Sequence, residues 1–148
     1  MDLTDLAGEL DDAVVALRSA THPRPRLSLT AAATLGRLQR SGPARLTELA
    51  LAEGVSQPSM TALIARLTDQ GLVSRAADPR DGRAVVLTLT EAGQELLAQR
   101  RAERTRQITG PLADLSPDDL RRIAEALPAL LRLADALRRP PVPLGGNR

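Results

Sequence analysis

The chain has 148 residues, 20 basic residues that are all arginine, 18 acids, and neither cysteine nor any aromatic residue. That length fits one domain able to bury roughly two-thirds of its unfolded surface, with a core of Leu, Ala, Val and Ile that packed helices fill most readily. The missing cysteine excludes disulfides, thiolate metal sites and thiol redox sensing. The missing aromatics argue against single-stranded nucleic acid, whose binding relies on base stacking. An acidic start without a basic leader and the lack of a long apolar run lead to the expectation of a cytoplasmic protein with no membrane partner. The net charge of +2 decides little, but its distribution is lopsided: residues 1–12 hold five acids and no base, and residues 13–47 hold six arginines and no acid. Such segregation suits a protein with one face toward an anion. Exclusive use of arginine is what a GC-rich genome writes for lysine, which accounts for most of the bias, and it also supplies the forked donor that pairs with phosphates and guanine edges.

The first segment carries Leu3, Leu6, Leu10, Val14 and Leu17 at a three-four spacing, one stripe of a helix. His22-Pro23-Arg24-Pro25 stops it, because proline disfavours helical geometry in the residue before it. Ser28 is placed to cap a second helix from Leu29 to about Arg40, ended by Ser41-Gly42-Pro43, and a short third helix is expected from Leu46 to Ala52. Glu53-Gly54 turns the chain. Ser56 then caps a fourth helix of about four turns with Pro58 in its first turn, and Met60, Leu63, Ile64 and Leu67 repeat on its inner face up to Gly71.

Leu72–Arg75 and Ala84–Leu89 read as strands joined across Asp78-Pro79-Arg80-Asp81-Gly82-Arg83. Thr90 caps a fifth helix, which carries an arginine cluster at 100–106 and is expected to end near Thr109-Gly110-Pro111. Ser116-Pro117-Asp118-Asp119 starts the last helix with a capping serine, a first-turn proline and acids on the positive end of the dipole. Leu120, Ile123, Leu127, Leu130, Leu131, Ala134 and Leu137 give that helix a broad apolar face, and Pro128 is expected to kink or divide it. The Pro- and Gly-containing segment 140–148 reads as a disordered tail.

A short helix, a glycine turn, a longer helix and an arginine-tipped hairpin, in that order, make a winged helix-turn-helix: mainly α, with about six helices and a small β-hairpin. The second helix of such a motif sets its opening turns against base edges in the major groove. The candidates there are Ser56, Gln57, Ser59, Thr61, Ala62 and Arg66. Glutamine pairs with adenine, hydroxyls serve bases or phosphates, and an alanine methyl can touch thymine. In the wing, Arg75, Arg80 and Arg83 are the cations suited to a narrow minor groove. Asp78 and Asp81, repelled by phosphate, are expected to brace arginines such as Arg75, Arg66 or Arg80.

The run Leu46-Thr-Glu-Leu-Ala, Val55-Ser-Gln-Pro-Ser-Met-Thr, Arg66-Leu67, Gly71-Leu-Val-Ser-Arg and Asp78-Pro-Arg-Asp-Gly-Arg-Ala-Val-Val-Leu-Thr-Leu-Thr-Glu-Ala-Gly93 resembles the MarR family of bacterial transcription regulators. The strong match covers about a third of the chain. The resemblance implies a homodimer joined through the first and last two helices, and repression relieved by a small aromatic or phenolic acid. Two departures stand out: Ala62 lies where family members commonly carry a basic residue, and the aromatics that often line the family's ligand pocket are absent. By the same resemblance the junction of the first two helices borders an effector pocket, which makes Arg18, His22 and Arg26 candidates for a ligand carboxylate.

The expected division is 1–27 as an N-terminal dimerisation helix, 28–93 as the DNA-binding winged helix, 94–139 as C-terminal dimerisation helices and 140–148 as tail. The terminal apolar stripes are not needed to complete a winged-helix core, and uncovered they exceed the patch a monomer usually exposes. A two-fold dimer with reading heads roughly 34–36 Å apart would read a pseudo-palindrome in double-stranded DNA. Catalysis finds no support: the single histidine lies between helices with no cysteine and no serine elbow motif near it, phosphate-binding glycine motifs are absent, and nothing calls for a cofactor or metal. A winged-helix protein-interaction module and a non-specific DNA-coating protein remain open as alternatives.

Overall fold

A computed structural model describes residues 2–21 and 27–138. The elements are α1 (Leu3–Ala20), α2 (Leu29–Ser41), α3 (Leu46–Ala52), α4 (Gln57–Asp69), β1 (Val73–Asp78), β2 (Asp81–Leu89), α5 (Glu91–Ala113) and α6 (Pro117–Arg138). They divide into two compact units, Met1–Gln107 and Ile108–Arg148. His22, Arg24 and Arg26 of the first interhelical segment, and the tail at 140–148, lie outside the described residues.

Capping chemistry sets most helix starts. Asp2 accepts from the backbone N–H of Thr4 and Asp5 at 2.6 and 2.8 Å, Ser28 from Ala31, and Ser56 from Ser59. Each satisfies an amide that the first turn leaves without an intrahelical partner. Gly54 (φ 64°) and Gly71 (φ 71°) make the turns on either side of α4, in a left-handed region that side chains with a Cβ avoid.

The core of the first unit gathers Ala31, Leu35 and Leu38 from α2, Leu49 from α3, and Met60, Leu63, Ile64 and Leu67 from α4. Val73, Leu87 and Leu89 close it from the sheet together with Leu72 just before β1, and Leu96 and Leu97 of α5 pack against it. β1 and β2 run antiparallel, and Ala44 adds a bridge to the outer side of β2 through Ala44 N–H to Leu87 O (3.1 Å) and Leu87 N–H to Ala44 O (2.8 Å). The chain entering α3 is thereby tied to the root of the hairpin.

Three expectations need correction. The strands reach further than 72–75 and 84–89: Asp78 pairs with Asp81 and the turn shrinks to Pro79-Arg80, after a register shift at Ala77/Asp78. Helix α5 does not end near Gly110-Pro111 but runs through Pro111 to Ala113. Of the two outcomes expected at Pro128, a kink or a division, the division does not occur: helix α6 is continuous from Pro117 to Arg138. Neither proline interrupts its helix, although each removes one backbone N–H and crowds the carbonyl four residues before it.

No residue of α1 or α6 is buried. Leu3, Val14, Val15 and Leu17 on α1 stand exposed, as do Leu120, Ile123, Leu127, Leu130, Leu131 and Leu137 on α6. No helix among the described residues is long and apolar enough to cross a membrane.

Candidate nucleic-acid interface

Helix α4 is two-faced. Met60, Leu63, Ile64 and Leu67 are buried, while Ser56, Gln57, Ser59, Thr61, Ala62 and Arg66 are all exposed on its other side. The hydroxyls are partly engaged within the helix. Ser56 Oγ donates to Ser59 Oγ at 2.8 Å, and Thr61 Oγ1 donates to the Gln57 carbonyl at 2.9 Å. Arg66, one face-turn further along, borders a shallow groove of about 160 Å³ with Ser28, Thr30, Val55, Ser59 and Leu63. The start of α2 thus adjoins α4. Ser28 and Thr30 were not singled out by the sequence pattern, because a capping serine and its neighbour look alike wherever a helix begins.

In the hairpin, Arg75, Arg80 and Arg83 are all exposed. Arg75 lies in the middle of β1 opposite Leu87, away from the turn. Arg80 and Arg83 flank Asp81 at the tip, so the structure brings those two together and leaves Arg75 on the shaft.

The two aspartates differ sharply. Asp81 is half-exposed, whereas the Asp78 side chain is only 1% accessible. Asp78 Oδ1 accepts the Arg80 backbone N–H at 2.9 Å, and its Oδ2 accepts both Nε and Nη2 of Arg45 at 3.1 and 2.8 Å. These hydrogen bonds, the Arg80 amide first and Arg45 next, hold the Asp78 carboxyl below its ordinary value, and Asp78 in turn raises Arg45. The expected bracing partners are therefore corrected. Arg80 does pair with Asp78, at 3.6 Å, but neither Arg75 nor Arg66 does; the principal partner is Arg45, which also lies 3.8 Å from Asp81. A pair separated by more than thirty positions has no sequence signature, and the only hint was an arginine directly before the first helix of the motif.

A second link, Arg37 Nε to Glu53 Oε1 at 3.1 Å, ties α2 to the turn between α3 and α4. Of the effector candidates, Arg18 borders an open depression of about 490 Å³ with Val15, Ser19 and Leu29, while His22 and Arg26 lie outside the described residues. Among the described residues no group of acids or histidines is arranged to hold a metal.

Known proteins share this arrangement. The family model described as MarR family matches residues 27–85. An uncharacterised HTH-type transcriptional regulator of Mycobacterium bovis is 35% identical over 133 residues, covering 88% of this chain and 93% of its own length. The HTH-type transcriptional repressor NicR of Pseudomonas putida is 37% identical over 73 residues, 49% of this chain and 46% of that protein. Among solved structures, a transcriptional regulator from Thermotoga maritima superposes with a TM-score of 0.77 at 24% identity, covering 90% of this chain and 96% of that one. The family model, the relatives and the winged-helix fold agree, and the chain belongs to the MarR family of winged helix-turn-helix transcription regulators, DNA-binding proteins rather than enzymes.

Proposed function

We propose that the chain is a repressor that grips a pseudo-palindromic duplex operator as a homodimer. In this reading α4 lies in the major groove, with Ser56, Gln57, Ser59, Thr61 and Ala62 against base edges and Arg66 toward a phosphate. Arg80 and Arg83 enter the adjacent minor groove. The observation that carries the reading is the wing's anchorage: the buried Asp78 fixes the turn bearing Arg80 to Arg45, at the head of the same helix-turn-helix that presents α4. A wing tied to the reading helix delivers both elements to DNA as one body, which lowers the ordering cost of binding.

The uncovered apolar faces of α1 and α6 support a second copy as the partner, with residues 1–27 and 94–139 serving dimerisation and 28–93 the DNA. An aromatic or phenolic acid would act as inducer by binding beside Arg18 and favouring a spacing of the two reading heads that fits the operator poorly; such a ligand shifts binding only by its differential affinity for the two conformations.

The test is a gel-shift titration of the promoter duplex upstream of the chain's own coding sequence against a scrambled duplex, repeated with Arg83→Ala. Preference for the promoter, weakened in the variant while the dimer persists, supports the reading. Equal affinity for both duplexes, or unchanged affinity in the variant, contradicts it.

A further inference from the structure

We infer that each operator half-site carries an adenine read in the major groove by Gln57, and that Gln57 is the principal source of base discrimination in the opening turns of α4. The inference rests on the DNA-binding reading above and names the chemistry of its target.

The opening turns expose four hydrogen-bonding side chains, Ser56, Gln57, Ser59 and Thr61. Three of them take part in bonds within the helix. Ser56 Oγ accepts the Ser59 N–H at 3.2 Å and gives its proton to Ser59 Oγ, and Thr61 gives its proton to the Gln57 carbonyl. What remains is one donor on Ser59 and acceptor lone pairs on the three hydroxyl oxygens, single functions that several base edges can meet. The Gln57 side chain is exposed and makes no hydrogen bond among the described residues.

An uncommitted carboxamide presents a donor and an acceptor side by side. Adenine offers the matching pair in the major groove, N7 accepting and the N6 amino group donating, whereas both positions on guanine accept and would leave the Gln57 oxygen facing another oxygen. A guanine-reading arginine is missing from the tip. The first cation on α4 is Arg66, about nine residues beyond Gln57 and so roughly 14 Å along the axis, further than the groove is wide at roughly 12 Å. Pro58 has no donor, Met60 is buried, and Ala62 offers only a methyl, which suits the thymine methyl of a neighbouring A·T pair.

The experiment is selection from a random duplex library by the full-length chain and by Gln57→Ala and Gln57→Glu, at one fixed salt concentration. The wild-type motif should fix adenine at one position in each half-site. Replacing that adenine by 7-deazaadenine, which lacks the N7 acceptor, should weaken binding by about five- to hundredfold. Gln57→Ala should keep the half-site spacing and lose preference at that position alone. Gln57→Glu, an acceptor without a donor, should move the preference there toward cytosine, a gained specificity that misfolding cannot imitate. Guanine fixed at that position, or a motif unchanged in both variants, overturns the Gln57 assignment while leaving operator binding intact. No enriched motif from the wild-type chain overturns the DNA-binding reading itself.

Discussion

Arg45 and Asp78 meet across 33 positions of sequence, with Nε and Nη2 of the arginine both directed at one carboxylate oxygen at 3.1 and 2.8 Å. Arg45 immediately precedes α3, and Asp78 ends β1 where the wing turns, so this contact makes the hairpin an extension of the helix-turn-helix. Asp78 is buried while Arg45 is partly exposed, so removing Arg45 leaves a buried carboxylate uncompensated, and neutralising Asp78 removes the anchor. Arg45→Ala and Asp78→Asn should therefore speed amide exchange at Arg80, lower the melting temperature and weaken operator binding. Asp81→Asn, whose 3.8 Å contact to Arg45 is half-exposed, should change all three much less. Exchange at the Arg80 amide, whose N–H bonds Asp78 directly, is the sharpest readout.

The same carboxylate sets a pH dependence. Asp78 titrates lower in the folded chain than its ordinary value of 3.8, because the Arg80 amide and then Arg45 stabilise the charged form. A depressed folded value means the stabilisation is fully present above the unfolded value and is lost as pH falls through the folded one. Wing order should be flat from neutral pH down to about pH 4 and fall below it. Wing amide exchange followed against pH in wild type and Asp78→Asn should converge at the acidic end; curves that stay parallel there would remove Asp78 as the titrating group.

The start of α5 tolerates no side chain at Gly93. A Cβ there would lie 2.5 Å from the Leu72 carbonyl oxygen and 2.5 Å from Leu89 Cδ1. The carbonyl is held in place, since Leu72 O accepts the Thr90 N–H at 3.1 Å while Thr90 Oγ1 donates to Gly71 O at 2.6 Å and accepts from Gly93 N–H at 3.1 Å. Gly93→Ala should destabilise the fold by about 1–3 kcal/mol, the range for overpacking a filled site, measured by denaturant titration. A change below about 0.5 kcal/mol would mean that α5 shifts freely over the sheet, an outcome typical of unconstrained surface sites.

Helix α6 offers a separation of folding from assembly. Leu131 is 63% exposed, and no residue of that helix is buried. Leu131→Glu should leave helix content unchanged while shifting sedimentation from dimer to monomer, since a carboxylate buried at an apolar interface is costly. A variant that remains dimeric would place the interface elsewhere.

The local physics of this chain is legible in its residues alone. Serine caps at 28 and 56, glycine turns at 54 and 71, and the three-four spacing of Met60, Leu63, Ile64 and Leu67 each act within a few residues, and each stands where expected. The Asp-Pro-Arg-Asp-Gly turn and its neighbours identify the hairpin but not its length. Ala76, Ala77 and Gly82 are weak strand formers; the two alanines pair because Val85 and Val86 opposite them hold the register. Pro111 and Pro128 mislead in the other direction, as local breakers at which neither helix ends. The Arg45–Asp78 contact is invisible in sequence because only tertiary folding, through the Ala44–Leu87 bridge, brings the two residues together.

The most direct measurement of the central claim is sedimentation of the purified chain with a labelled promoter duplex and with a scrambled duplex, at about 50 and 200 mM salt. The account predicts two protomers per promoter duplex, clear preference over the scrambled duplex, and, for six to ten phosphate contacts, an affinity loss of about 10³–10⁵-fold between the two salt concentrations. One protomer per duplex, or equal binding of both duplexes, would contradict it.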